Sequence, residues 1–228
     1  MNGFIRADNN LLKDGDGNII LLKGMAFGNN VWANPSTPPK THHTEESYKE
    51  LSELGFTSVR FYLNYGLFES DDAPYKYKNE GWEWLDWNIE TAKKYDIRLV
   101  LNMHYPQGGF QSNGTGTKLW TNEENKKRLM ALWTETAKKY KSEPAIAAFD
   151  LLNEPVVPEK SSIEETFAQW HDLAQDTAYS IRTVNTNHML MIERLNAYKN
   201  LETGVSNWNN NLNGSMNFFL IGYEKNLV

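Results

Sequence analysis

Cysteine is absent from all 228 residues, which removes disulfides, thiolate nucleophiles and Cys-ligated zinc or iron–sulfur centres together. Long apolar runs are missing as well. Nothing approaches the roughly 20 residues of a membrane-spanning helix, and the mean hydropathy is −0.63. Positive charge is in short supply, with 23 Lys+Arg against 29 Asp+Glu and a net charge of −6. A nucleic-acid partner, which calls for a basic face, is therefore not expected, and neither is a membrane. The start, Met1-Asn2-Gly3-Phe4-Ile5-Arg6, lacks the basic-then-apolar order of a secretion signal. Apolar residues are present in quantity, at 40%, enough for a real core. Aromatics are abundant, with eight Trp, eleven Tyr and ten Phe.

The chain alternates between two periodicities. Leu11-Leu12 and Ile19 to Leu22 flank Asp14-Gly15-Asp16-Gly17-Asn18, a hairpin with a tight turn. Asp14, Asp16 and Asn18 match the first ligands of a calcium loop, but Ile19 and Met25 stand where that loop needs Gly and Glu. Residues 19–27 form a first apolar stretch, and strands follow from about 56, 97, 146 and 189. Between them lie amphipathic helices at about Thr44–Leu54, Trp82–Tyr95, Asn122–Tyr140 and Ser162–Thr183. Repeated strand–helix units imply parallel crossovers, hence an α/β sheet or barrel in one domain spanning 1–228. Pro35-Ser36-Thr37-Pro38-Pro39 is a predicted loop. The Asn-rich tail after Glu202 is predicted irregular, and Phe218-Phe219-Leu220-Ile221 is predicted to approach a further strand.

Function in parallel α/β folds gathers at the carboxyl ends of strands. Those ends carry Asn29 and Asn30, Arg60 and Asn64, His104 and Tyr105, Asn153 and Glu154, and Glu193 and Arg194. A carboxyl where a strand meets its loop sits in a partly desolvated cleft, which would raise the Glu154 pKa toward that of a general acid. Among the aromatics, Trp32 just after the first strand, Trp120 ahead of the third helix and Tyr105 are the candidates to line that cleft. Trp82, Trp84, Trp87, Trp133 and Trp170 fit core or helix-packing positions at least as well. His42-His43 fits a solvated loop, and His171 and His188 fit helix-surface and turn positions.

Phe149-Asp150-Leu151-Leu152-Asn153-Glu154-Pro155 resembles the fourth-strand motif of glycoside hydrolase family 5, the endo-β-1,4-glucanase and mannanase group. Gly3-Phe4-Ile5-Arg6, Leu22-Lys23-Gly24-Met25-Ala26-Phe27-Gly28-Asn29, Gly55-Phe56-Thr57-Ser58-Val59-Arg60-Phe61 and Leu99-Val100-Leu101-Asn102-Met103-His104 extend the resemblance over nearly the whole chain. It implies a (β/α)8 TIM barrel and a retaining hydrolase of β-1,4-linked polysaccharide, cellulose-type glucan first. It also implies no metal or organic cofactor, action outside the cell on a polymer, and a monomeric full-length enzyme. By the same resemblance Glu154 is the acid/base, Asn153 contacts the sugar, Arg60 orients the nucleophile region and His104 lines the subsite floor.

The family places its nucleophile, a second Glu, on strand seven. This chain supplies about five of eight β/α units, so the expectation is a catalytic domain truncated before strands six to eight and lacking that Glu. Asp150 and Glu154, four residues apart, would lie about 13 Å apart along an extended strand, too far for a retaining pair. Glu193 is left as a cleft-lining residue. The alternative is a catalytically silent glycan-binding or scaffold protein on a partial barrel. An unrelated α/β enzyme sharing only Asn–Glu–Pro is a third reading.

Overall fold

Short-range turn chemistry sets the beginning of the fold. The computed structural model describes residues 1–33, 36–39 and 42–208. It opens with a small antiparallel sheet of β1 (Arg6–Asp8), β2 (Leu11–Lys13) and β3 (Ile19–Ile20). Asp14 Oδ1 accepts the backbone N–H groups of Asp16 and Asn18, and Gly17 takes φ +88, so the acidic loop is a self-satisfied turn. The apolar stretch 19–27 is not one strand. Ile19–Ile20 belongs to this hairpin, and β4 (Gly24–Phe27) begins the main sheet.

That sheet runs β4, β5 (Ser58–Asn64), β6 (Arg98–Tyr105), β7 (Ile146–Asp150) and β9 (Met189–Met191), in this spatial order and all parallel. The connecting helices are α1 (Glu45–Glu53), α2 (Asn79–Lys94), α4 (Glu123–Lys139) and α5 (Ile163–Arg182). Asn122 and Ser162 cap α4 and α5 by accepting the backbone N–H groups of Glu124 and Glu165. Gly55, at φ +80, ends α1. Helix α2 begins three residues before the predicted Trp82.

Two elements were not predicted: α3 (Thr117–Thr121), and a small sheet in which β8 (Val156–Pro158) pairs parallel with β10 (Ala197–Lys199), itself antiparallel to β11 (Ser206–Asn207). Strand β11 lies within the tail predicted irregular. The proposed strand approach at Phe218–Ile221 lies outside the described residues, as does Pro35 of the predicted loop.

Alternation along the strands divides the molecule into two layers. Val59, Phe61, Leu63, Leu99, Leu101, Met103, Phe149 and Leu190 turn toward the helices and pack with Leu85, Ile89, Leu129, Leu132, Trp133 and Ile181. On the opposite face a smaller cluster of Ile5, Val100, Ala148 and Met189 is closed by Leu12, Ile20 and Leu22 of the first hairpin. Trp133 is fully buried, its indole N–H donating to Leu151 O at 2.9 Å beneath the loop after β7. Trp133→Ala should cost about 3–5 kcal/mol of stability, read as a lowered urea midpoint with the spectroscopic transition still single.

His42-His43 is not a solvated loop. Asn29 N–H donates to His42 Nε2 at 3.1 Å, so His42 Nδ1 holds the proton and donates to His43 Nδ1 at 2.9 Å. His43 Nε2 must then donate to Asn88 Oδ1 at 2.6 Å. The chain of bonds works only with both rings neutral, and Phe27 stacks on His43 at 4.5 Å. His188 is likewise fully buried, bonded to Asn185 and to the Glu143 carbonyl, while His171 lies half-exposed on α5. Burial pushes His43 down to about 4. Between that value and the ordinary 6.5 the unfolded chain binds more protons, so stability should fall as pH drops through this window. Thermal melts should show the fall, and it should be shallower in His43→Phe.

Candidate active site at the carboxyl edge of the sheet

The concave face of the sheet turns polar toward its carboxyl end. Arg60 and Tyr62 on β5, Asn102 and His104 on β6 and Asp150 on β7 follow the two-residue period that points them away from the helices. Arg60 joins most of them. Its Nε and Nη2 donate to Asp150 Oδ2 at 2.9 and 2.7 Å, and Nη2 also reaches Asn153 Oδ1 at 3.0 Å and Glu193 Oε1 at 2.5 Å. Asp150 is buried, with the Asn102 side-chain amide beside its carboxylate. Burial pulls the Arg60 guanidinium down, but the charges of Asp150 and Glu193 more than offset this and leave it above the ordinary arginine value.

Two carboxylates thus share one cation in a partly desolvated site. Burial first, then the charge of Asp150, pushes Glu193 up to about 7, against the pull of the Glu154 N–H and Arg60. Burial also raises Asp150, against the pull of the Arg60 charge and of the two Arg60 donors on its Oδ2.

Glu154 lies on the exposed rim just beyond Asn153, at φ +44, and its backbone N–H donates to Glu193 Oε2 at 2.9 Å. The desolvation expected at Glu154 is found at Glu193 instead, because the chain turns outward immediately after Asn153. Asn153 is 3% exposed; its amide accepts from Arg60 and donates to Ser112 Oγ at 2.9 Å.

His104 lies face to face on Tyr62, ring centres 3.8 Å apart. Its Nδ1 is 2.9 Å from Asn102 Oδ1, an acceptor only, so Nδ1 carries the proton and Nε2 keeps a free lone pair. Burial and then the nearby Arg60 charge push His104 down to about 3, which keeps the ring neutral. Trp32 stands edge-on to His104, Tyr62 and Phe110 and remains 53% exposed. Tyr105, half-exposed, lies alongside Phe110.

Trp120 requires correction. It is 4% exposed, its indole N–H donates to Gln111 Oε1 at 2.8 Å, and it packs edge-on against Trp170 in the core. The short helix α3, invisible to periodicity, turns it inward. Asn29 and Asn64 serve the backbone: their side chains donate to Tyr62 O and Val31 O, both at 2.8 Å, fixing the loop that carries Trp32. Tyr62 and Phe110 were missed as parts of the aromatic wall. The two-residue spacing of Arg60 and Tyr62 was the available signal for Tyr62. Asp150 and Glu193 were both noticed but given no part in the cluster around Arg60.

Successive β/α units with an arginine, clustered carboxyls and an aromatic wall at the carboxyl edge have the build of a barrel glycoside hydrolase. The chain belongs to the family described as Cellulase (glycosyl hydrolase family 5), whose pattern matches residues 14–226. Endoglucanase C of Acetivibrio thermocellus is 35% identical over 153 residues, which is 67% of this chain and 42% of that protein. An endoglucanase of Paenibacillus polymyxa is 25% identical over 95% of this chain and 56% of its own length. Among solved structures, Cel5A of Thermotoga maritima with mannotriose is 25% identical, with a TM-score of 0.61, covering 82% of this chain and 57% of that one. The same enzyme has been solved with cellobiose, at a TM-score of 0.60, covering 75% of this chain and 51% of that one. The chain therefore spans about half the length of the relatives it matches, and its parallel sheet corresponds to about half of a family 5 barrel.

Asp150→Asn should lower the Glu193 pKa from about 7, since it removes a neighbouring negative charge and frees Arg60 for Glu193. Carbon-13 titration of the glutamate carboxyls would measure the shift; an upward move would contradict this account of the cluster.

Proposed function

We propose that this chain carries the acid/base side of a retaining glycosidase acting on β-1,4-linked polysaccharide, cellulose-type glucan first. One observation carries the reading. An exposed glutamate, Glu154, sits beside a buried arginine–carboxylate cluster and on the same edge as an exposed tryptophan. In the reaction Glu154 protonates the glycosidic oxygen as its bond to the anomeric carbon breaks, and a second carboxylate captures that carbon from the opposite face. Glu154, now ionised, then takes a proton from water as the water displaces the enzyme–sugar bond. Trp32 offers an apolar face to a pyranose ring, and the His104 Nε2 lone pair is available to a sugar hydroxyl.

The family resemblance gives the second carboxylate to a Glu on the seventh strand, and no such strand lies among the described residues. Glu193 does not fit the part, because both its oxygens are bonded to Arg60 and to the Glu154 peptide. The same observation favours a second reading, a glycan-binding protein without turnover. A polymer substrate places the site of action outside the cell.

Carboxymethyl-cellulose, glucomannan and xyloglucan assays of the parent and of Glu154→Gln, with cellotetraose calorimetry, test both. The expected result is cellotetraose binding weakened about tenfold in Trp32→Ala, equivalent to about 1.4 kcal/mol. Hydrolysis that vanishes in Glu154→Gln would support the acid/base role, and binding without hydrolysis would favour the second reading. A parent that neither binds nor cleaves any of these glycans would overturn both.

A further inference from the structure

Glu193 has no step of its own in the proposed reaction, yet it touches the two groups that matter most. Oε1 meets Arg60 at 2.5 Å and Oε2 accepts the Glu154 backbone N–H at 2.9 Å. Its main chain is fixed independently, by the Trp170 indole N–H donating to the Glu193 carbonyl at 2.7 Å. The carboxylate is therefore a strut between a guanidinium and a peptide. That peptide needs one, because Glu154 at φ +44 is in the left-handed region, which a non-glycine residue occupies only when its surroundings hold it there.

We infer that Glu193 is a positioning residue: its carboxylate clamps the Glu154 peptide in the left-handed conformation and couples it to Arg60. The catalytic meaning of the clamp rests on the reading of Glu154 as acid/base; the clamp itself does not. An ionised carboxylate accepts an N–H more strongly than a neutral one and attracts a guanidinium only when charged. The groups facing Glu193 are Arg60 from β5, Asp150 from β7 and Glu154 from the following loop. His104 of β6 lies in the field of Arg60, and α5 presents the neutral Trp170 indole. With Glu193 raised to about 7, the clamp is firm above neutral pH and slack below it.

The test follows the Glu154 amide in proton–nitrogen spectra of the whole chain between about pH 5.5 and 8.5. In the parent its resonance should pass through one transition near neutral pH, together with the Glu193 carboxyl carbon. In Glu193→Gln, which keeps the shape and loses the charge change, the transition should vanish. In Glu193→Ala the Glu154 amide should exchange with solvent at least ~10-fold faster. An amide that does not move in the parent overturns the proposal whether or not the variants fold, and so does one that titrates identically in Glu193→Gln. Cellotetraose added to the same samples separates the two claims. A parent that titrates as expected but binds no sugar keeps the clamp and loses the glycosidase reading; one that binds sugar while its Glu154 amide ignores Glu193 loses the clamp alone.

Discussion

A carboxylate buried at the end of a central strand must find a cation or give up its charge, and Asp150 finds Arg60. The partner comes from β5, two strands away, so the guanidinium has to cross the concave face of β6 to arrive. This single desolvation requirement ties three strands together at the carboxyl edge. It also places Asn153 and Glu193, which take the remaining reach of the guanidinium, and it helps keep His104 neutral by setting a positive charge nearby. The outer rim, with Glu154, is built on that inner frame.

Polar residues at strand ends do two different jobs here. Asn29 and Asn64 spend their amides on neighbouring backbone and hold the loop bearing Trp32. Arg60, His104 and Asp150 are turned to the concave face and bonded to one another or to neighbouring side chains. The division follows from geometry. The first pair stabilises chain that has left the sheet, and the second group still obeys the alternation of the strands. Exposed Trp32 depends on both, since its loop is fixed by the asparagines and its ring leans on His104 and Tyr62.

Much of the scaffold was legible in the sequence because periodicity is a local property. The three strands ending at Arg60's neighbours, His104 and Asp150, and the four long helices, all announce themselves through runs and spacings. What failed was whatever depended on contacts between distant segments. The sheet of β8, β10 and β11 joins three short pieces, one containing proline, whose pairing exists only once β7 and β9 are side by side. Trp120 was misread because a five-residue helix carries no amphipathic signature, so its direction was set by Gln111 and Trp170 alone. His42-His43 looked like solvated chain because its partners, Asn29 and Asn88, lie 13 and 45 residues away. The burial expected at Glu154 went to Glu193 for the same reason: a one-residue turn outward cannot be seen in a motif.

The closing of the concave face by the first hairpin has a consequence for the order of folding. Strands β4, β5, β6, β7 and β9 pair in the order in which they occur in the chain, so each β/α unit can dock on its predecessor as the chain lengthens. The N-terminal segment cannot: Ile5 packs with Ala148 and Met189, and Arg98 donates to Gly3 O. These contacts span more than ninety residues and carry the largest loop-closure entropy in the sheet. The segment that precedes the sheet is thus the last to lock, and the hairpin seals the underside of a sheet whose fifth strand must already be in place.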